Sequence, residues 1–191
     1  MEQMLSNGWV EVITGPMFAG KSEELIRRVK RLDYAHKKYC AFKPRIDDRY
    51  SSHEIVSHSL RKTPSFVIEK AKEIEQYLPE DVDCIIIDEV QFLDDEIVNV
   101  CENLASRGIR VIVAGLDMDF RGEPFPIMAK LLAVAEYVTK LTAICVCCGS
   151  LATRTQRLIN GVPASRRSPT VLIGATECYE ARCRRCHEVK E

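Results

Sequence analysis

Long apolar runs are missing from this sequence. The longest apolar stretches, around residues 84–87 and 109–116, fall far short of the roughly 18–20 residues needed to cross a bilayer as a helix. An excess of either charge is missing as well: 27 Lys+Arg stand against 28 Asp+Glu, a net charge of −1. No overall basic field is available to hold nucleic acid or anionic lipid non-specifically. The first residues show no basic segment followed by an apolar one, so no secretory signal is expected, and a soluble, cytoplasmic chain is. Internal repeats and low-complexity tracts are absent. What is present is ordinary globular composition, 46% apolar and 29% charged, which excludes wholesale disorder, a coiled coil and a collagen-like chain. At 191 residues the chain has room for one α/β domain and a small appendage. A domain near this size buries roughly 70% of the surface that its unfolded chain exposes.

Cysteine is the exception to this ordinary composition. There are nine, six of them between Cys145 and Cys186. A reducing compartment disfavours structural disulfides and the count is odd, so clustered thiolates read first as metal ligands. Cys145-x-x-Cys148 and Cys183-x-x-Cys186 frame a 34-residue insert, 149–182, and two such knuckles can close the tetrahedral four-thiolate shell of a structural zinc. Cys147, Cys178 and His187 are rival ligands, and a redox dithiol is an alternative for either pair. Cys40, Cys84 and Cys101 fall within apolar strands or on an apolar helix face and read as inert core residues.

The first two-thirds of the chain alternate short apolar runs with segments of helical period. Strands are expected over 9–14, 39–43, 65–68, 84–87, 109–115 and 137–141. Helices are expected over 21–36, over a short segment ending before Pro79, from Asp94 or Asp95 to Gly108, and over 127–135. This alternation predicts right-handed crossovers around a parallel sheet. Beyond Cys145 the pattern breaks up into Arg, Ser, Pro and Gly with one clear strand, 170–173. The division expected is therefore residues 1–142 as the nucleotide-binding α/β unit and 143–191 as a small metal-binding lobe. The seven arginines of that lobe, at 154, 157, 166, 167, 182, 184 and 185, lack interleaved aromatics and read as a mostly solvated face.

Gly15-Pro16-Met17-Phe18-Ala19-Gly20-Lys21-Ser22 matches G-x-x-x-x-G-K-[ST] at every position. In such a loop, backbone N–H groups turn inward around phosphate oxygens and the following helix N-terminus adds partial positive charge. Lys21 would reach the β- and γ-phosphates of ATP, and the Ser22 hydroxyl would ligate Mg²⁺. The pattern arises by chance in on the order of one chain in a hundred, but here it also joins an expected strand to an expected helix. Asp88 and Glu89 follow the 84–87 strand. Asp88 is placed to hold Mg²⁺, while Glu89, which cannot lie on the same side of the strand, suits a general base on an attacking hydroxyl or water.

In their order and spacing, GPMFAGKS (15–22), YSS (50–52), DEVQF (88–92), GLDMDF (115–120), KLTAICVC (140–147), Tyr179 and CRRC (183–186) resemble the zinc-containing type II thymidine kinases over nearly the whole chain. The resemblance implies a RecA-like P-loop core with a mostly parallel sheet, and a C-terminal zinc lobe whose lasso-like loop lies over the nucleoside. It implies transfer of the γ-phosphoryl of ATP to the 5′-hydroxyl of thymidine, with deoxyuridine a further acceptor, in pyrimidine salvage for DNA synthesis. It makes Glu89 the catalytic base, with Asp88 to Gln91 bordering the nucleotide and Asp47 and Arg49 near the phosphates. Phe120 would pack on the base, with Thr170, Val171, Leu172, Ile173, Gly174 and Tyr179 around the nucleoside and Met17 lining the same pocket. A homotetramer and inhibition by thymidine triphosphate come with the family. Two rival readings from the residues alone are a nucleic-acid-stimulated P-loop ATPase and a zinc-ribbon interaction protein. The first is disfavoured because one core cannot supply a second motor domain. The second would bind ATP without turnover on nucleosides.

Overall fold

The structure, a computed structural model, describes residues 8–45, 65–170 and 177–191. Six parallel strands form its centre: β1 (Trp9–Thr14), β2 (Tyr39–Pro44), β3 (Ser65–Ile68), β4 (Cys84–Ile87), β5 (Arg110–Gly115) and β6 (Tyr137–Lys140), in the order β3-β2-β4-β5-β1-β6. β4 (CIII) and residues 111–114 of β5 are apolar without interruption because both faces of a parallel sheet are covered. Successive side chains point to opposite faces, and the core divides accordingly. Ile13, Ile86, Ile112 and Ala114 pack under Leu25, Val29 and Leu32 of α1 (Lys21–Tyr34). Val12, Ile85, Ile87, Val111 and Val113 pack on the other side, against α2 (Glu96–Ser106), α3 (Pro126–Val134) and a 3-10 segment, Ala71–Tyr77. The helix expected before Pro79 is this tighter 3-10 form.

One charged residue interrupts the apolar face under α1. Glu11, in β1, is buried and accepts hydrogen bonds from Trp9 Nε1 (2.6 Å), Arg110 Nε (2.6 Å) and Arg28 of α1. Arg28 also bonds Glu24 (2.9 Å) and Thr139 Oγ1 in β6 (2.7 Å). Burial alone would raise the Glu11 pKa, but the Arg110 and Trp9 hydrogen bonds and the two guanidinium charges outweigh it and hold the carboxyl below its ordinary value. The cluster ties the helix that follows the phosphate loop to three strands at once.

The C-terminal part departs from expectation. Instead of loops around a single strand, it contains a two-stranded hairpin, β7 (Ala143–Ile144) with β8 (Leu151–Ala152), and an antiparallel three-stranded sheet in the order β10-β9-β11. These last strands are Val162–Pro163 (β10), Arg154–Ile159 (β9) and Glu177–Arg182 (β11). The strand expected over 170–173 lies outside the described residues except for Thr170, which is not in a strand. Polar residues hide β9 from a hydrophobic pattern: Thr155, Gln156 and Arg157 are all buried, and each makes hydrogen bonds there. Among the described residues, no helix is long and apolar enough to cross a membrane.

Candidate functional site

Because every strand of the large sheet points the same way, the segments leaving β1, β4 and β5 emerge at one edge. These are Gly15–Ser22, Asp88–Gln91 and Leu116–Phe120. β5 lies between β1 and β4, so the phosphate loop and the acidic pair are two strand spacings apart, about 10 Å. That gap is wide enough for a polyphosphate chain.

Gly20 precedes the first residue of α1 with φ 84°, in the left-handed region that glycine adopts without penalty. Lys21 and Ser22 thus open the helix at the mouth of the loop. Lys21 Nζ donates to Pro16 O at 2.8 Å, closing the loop on itself. Burial lowers the Lys21 pKa, while the carboxylates of Glu89, Asp88 and Asp117 act in the opposite direction. The loop is also tied to the smaller sheet, since Met17 N donates to Thr155 Oγ1 in β9 at 3.0 Å.

Glu89 has φ 50° and ψ 38°, a left-handed backbone on a non-glycine residue. Such backbone is uncommon and persists where its surroundings enforce it. Here Gln91 does so: its Nε2 donates to Glu89 Oε2 at 2.6 Å, and its Oε1 accepts from Leu116 N at 3.1 Å. A Cβ at Gly115 would lie 2.3 Å from that same Oε1, so only glycine leaves room for the bridge. Gln91, read from the sequence as bordering the nucleotide, makes both of these bonds inward and orients Glu89.

Asp88 Oδ1 accepts from Glu89 N at 2.9 Å. Withdrawal from water and the neighbouring Glu89 charge push the Asp88 pKa up to about 7. An acid with a raised folded pKa lowers stability as pH rises from its unfolded pKa, about 4, towards its folded value. Asp88→Asn removes that ionisation cost. It is expected to raise the Tm of the ligand-free protein more at about pH 8 than at about pH 5, while lowering transfer activity. Thermal melts at the two pH values check the sign; an equal gain at both would show that ionisation of Asp88 is not the cause.

Phe120 is buried, and its ring lies 3.6 Å from the Arg157 guanidinium and 4.6 Å from that of Arg121, measured from the ring centroid. His187 Nε2 donates to the Phe120 carbonyl at 2.8 Å. Burial keeps His187 below its ordinary pKa and therefore neutral at pH 7. This bond occupies Nε2 of the rival ligand, and the groups that converge are Cys145, Cys148, Cys183 and Cys186, whose sulfurs all lie within 4.8 Å of one another. Cys148 Sγ and Cys183 Sγ are 3.7 Å apart. Four sulfurs at about 2.3 Å from a tetrahedral zinc would sit about 3.8 Å from one another, so the cluster fits a structural zinc. Cys84 and Cys101 are core thiols, each pushed up to about 12 by burial.

The remaining expected residues divide as follows. Thr170 and Tyr179 belong to the small lobe, Tyr179 paired with Arg157 across β11 and β9. Asp47, Arg49, Val171, Leu172, Ile173 and Gly174 lie outside the described residues. The solvated-face reading of the arginines fails at Arg157, which is fully buried, and at Arg182, which is held by Glu180 (2.8 Å) and the Cys186 carbonyl (3.1 Å). Sequence reasoning also passed over Thr155, Arg121 and Asp117. The Asp117 carboxylate is buried beside the phosphate loop with Lys140 Nζ 2.9 Å from Oδ2, yet neither oxygen is hydrogen-bonded among the described residues.

The thymidine kinase family model matches residues 8–187, nearly the whole chain. This chain belongs to the thymidine kinase family. Its fold is similar to that of the flagellar accessory protein FlaH from Methanocaldococcus jannaschii, with a TM-score of 0.51 at 12% identity over 76% of this chain and 75% of that one. A DnaB-like replicative helicase matches with a TM-score of 0.49 at 9% identity, over 71% of this chain and 48% of the helicase. The parallel sheet, with its phosphate loop at the carboxyl edge, is RecA-like, and the four-cysteine lobe is appended to it. For a thymidine kinase this arrangement predicts that Cys183→Ser/Cys186→Ser loses bound zinc and weakens nucleoside binding about tenfold or more, with ATP binding within about threefold. Metal analysis and separate titrations of the two ligands check it. Retained thymidine affinity would detach the lobe from the nucleoside, and global unfolding would overturn the division at residue 142.

Proposed function

We propose that this kinase transfers the γ-phosphoryl group of ATP to the 5′-hydroxyl of thymidine, giving dTMP and ADP. The observation that carries the reading is the meeting of Lys21, Asp88 and an oriented Glu89 at one sheet edge in a chain of this family. Lys21 would exchange its Pro16 carbonyl for phosphate oxygens and neutralise charge on the β- and γ-groups. Ser22 and Asp88 are the residues that would hold Mg²⁺, and a cation there would favour the ionised Asp88 carboxylate that desolvation and Glu89 otherwise disfavour. Bound there, the ion supplies charge neutralisation across the β- and γ-phosphates. Glu89 accepts the proton of the 5′-hydroxyl as its oxygen bonds to the γ-phosphorus and the bond to the ADP oxygen breaks. Positioning and electrostatics provide most of the acceleration in such transfers.

A pyrimidine with an N3–H donor flanked by carbonyl acceptors suits recognition by backbone groups of the loop that precedes β11. Cytosine lacks that donor and would leave a buried carbonyl unpaired, which can cost orders of magnitude. A homotetramer and inhibition by thymidine triphosphate belong to the same reading. The test is transfer from γ-labelled ATP to a panel of nucleosides. Label should enter thymidine and deoxyuridine and not deoxycytidine. ATP turnover that needs nucleic acid and labels no nucleoside would replace this reading with that of a nucleic-acid-stimulated ATPase.

A further inference from the structure

Arg157 is a fully buried guanidinium, and among the described residues no carboxylate lies within ion-pair distance of it. Its Nε has no hydrogen-bond partner there. Its other two nitrogens donate to backbone carbonyls of one short segment, Nη2 to Pro169 at 2.7 Å and Nη1 to Thr170 at 3.2 Å, while its plane lies over Phe120. A buried cation without a counter-charge is costly, and a methionine or leucine could fill the same volume without that cost. What only a guanidinium provides is a rigid fork that bonds two carbonyls while stacking on a ring.

Arg121 repeats the arrangement from the other unit. It follows Phe120 in the segment that leaves β5, is paired with Asp119 at 2.5 Å, and also lies over the Phe120 ring. Its Nε donates to Arg166 O at 2.7 Å, its Nη2 to Ser168 O at 2.5 Å, and its Nη1 to Thr170 Oγ1 at 2.9 Å. Each arginine therefore touches both Phe120 and Thr170. One comes from the large sheet's edge, the other from β9 of the small sheet.

We propose that Arg121 and Arg157 form a two-arginine latch that fixes the 166–170 segment against Phe120 and thereby sets nucleoside affinity. They are positioning residues: among the described residues neither arginine bonds the phosphate loop, and their guanidinium groups are taken up by the 166–170 segment and Phe120. The proposal rests on the proposed thymidine kinase function and on Phe120 and Thr170 being the nucleoside contacts that the family resemblance implies.

The segment carries its own reporter, because trypsin can cut the Arg167–Ser168 bond within it. Arg157→Lys keeps the charge and loses the fork; Arg121→Met keeps the length and loses every donor. Each variant is assayed for Tm, for release of the fragment beginning at Ser168 in the absence of nucleotides, and for KM towards thymidine and ATP. The expected result is cleavage about tenfold faster and KM for thymidine raised about tenfold or more, with KM for ATP within about threefold, the size expected on losing charge-assisted hydrogen bonds. A purely structural role would lower Tm and raise both KM values together, and that result overturns the latch. So does unchanged KM for thymidine in an active parent, whether or not cleavage accelerates. If Arg157→Lys does not fold, Arg121→Met decides alone. A parent that labels no nucleoside sinks the functional reading; the cleavage rates still decide whether the two arginines hold the segment.

Discussion

Lys21→Ala is expected to reduce phosphoryl transfer by about 10³-fold or more, the scale seen when a preorganised charge on a transferring phosphoryl group is removed. The side chain is half-buried at the mouth of the loop, and four carboxylates, on Glu89, Asp88, Asp117 and Glu23, act on it. Without the ammonium, a triphosphate would enter an edge of the sheet that is net acidic, so ATP affinity should fall as well. Single-turnover transfer and ATP titration on the variant check both effects. Near-normal transfer would remove Gly15–Ser22 from the phosphate site altogether.

Glu89→Gln should lower kcat by about 10²-fold or more, in the range for loss of a general base, with ATP and thymidine binding retained. The substitution is a fair test because the amide keeps an oxygen that can still accept from Gln91 Nε2, so the side chain keeps its place while losing its basicity. A kcat within about threefold of the parent would move the base elsewhere, with Asp47 the first candidate. Gln91→Ala is the informative companion: it removes the brace without touching the carboxylate, and its effect should fall on kcat.

The sequence was most legible where backbone and chemistry share a short segment. GPMFAGKS announces the turn between β1 and α1, and the CIII run before Asp88 announces a strand buried on both faces. The two knuckles were likewise readable from spacing alone, and the four sulfurs do converge. What stayed hidden depends on contacts across the chain. β9 reads RTQRLI, and nothing in it tells that Gln156 bonds the Glu188 backbone or that Arg157 reaches Thr170. A row of arginines looks solvated by default, and only tertiary structure separates the buried one from the exposed. Gln91 reads from the sequence as bordering the nucleotide, and its bonds to Glu89 and Leu116 were not legible there, because they depend on the close approach of β5 at Gly115.

The strand order has a consequence for how this protein comes to be folded. Among the described residues β1 has as neighbours β5 and β6, whose residues follow it by about a hundred positions or more. Closing loops of that length is entropically slow, and sheets built from such distant pairings fold more slowly than those built from local ones. β2, β3, β4 and β5 can pair with one another while β1 waits, since β1 lies outside that run in the order β3-β2-β4-β5-β1-β6. The segment carrying the phosphate loop, early in the sequence, is therefore expected among the last to take its shape during refolding. Until it does, the flank of β5 stands open to pairing with other chains.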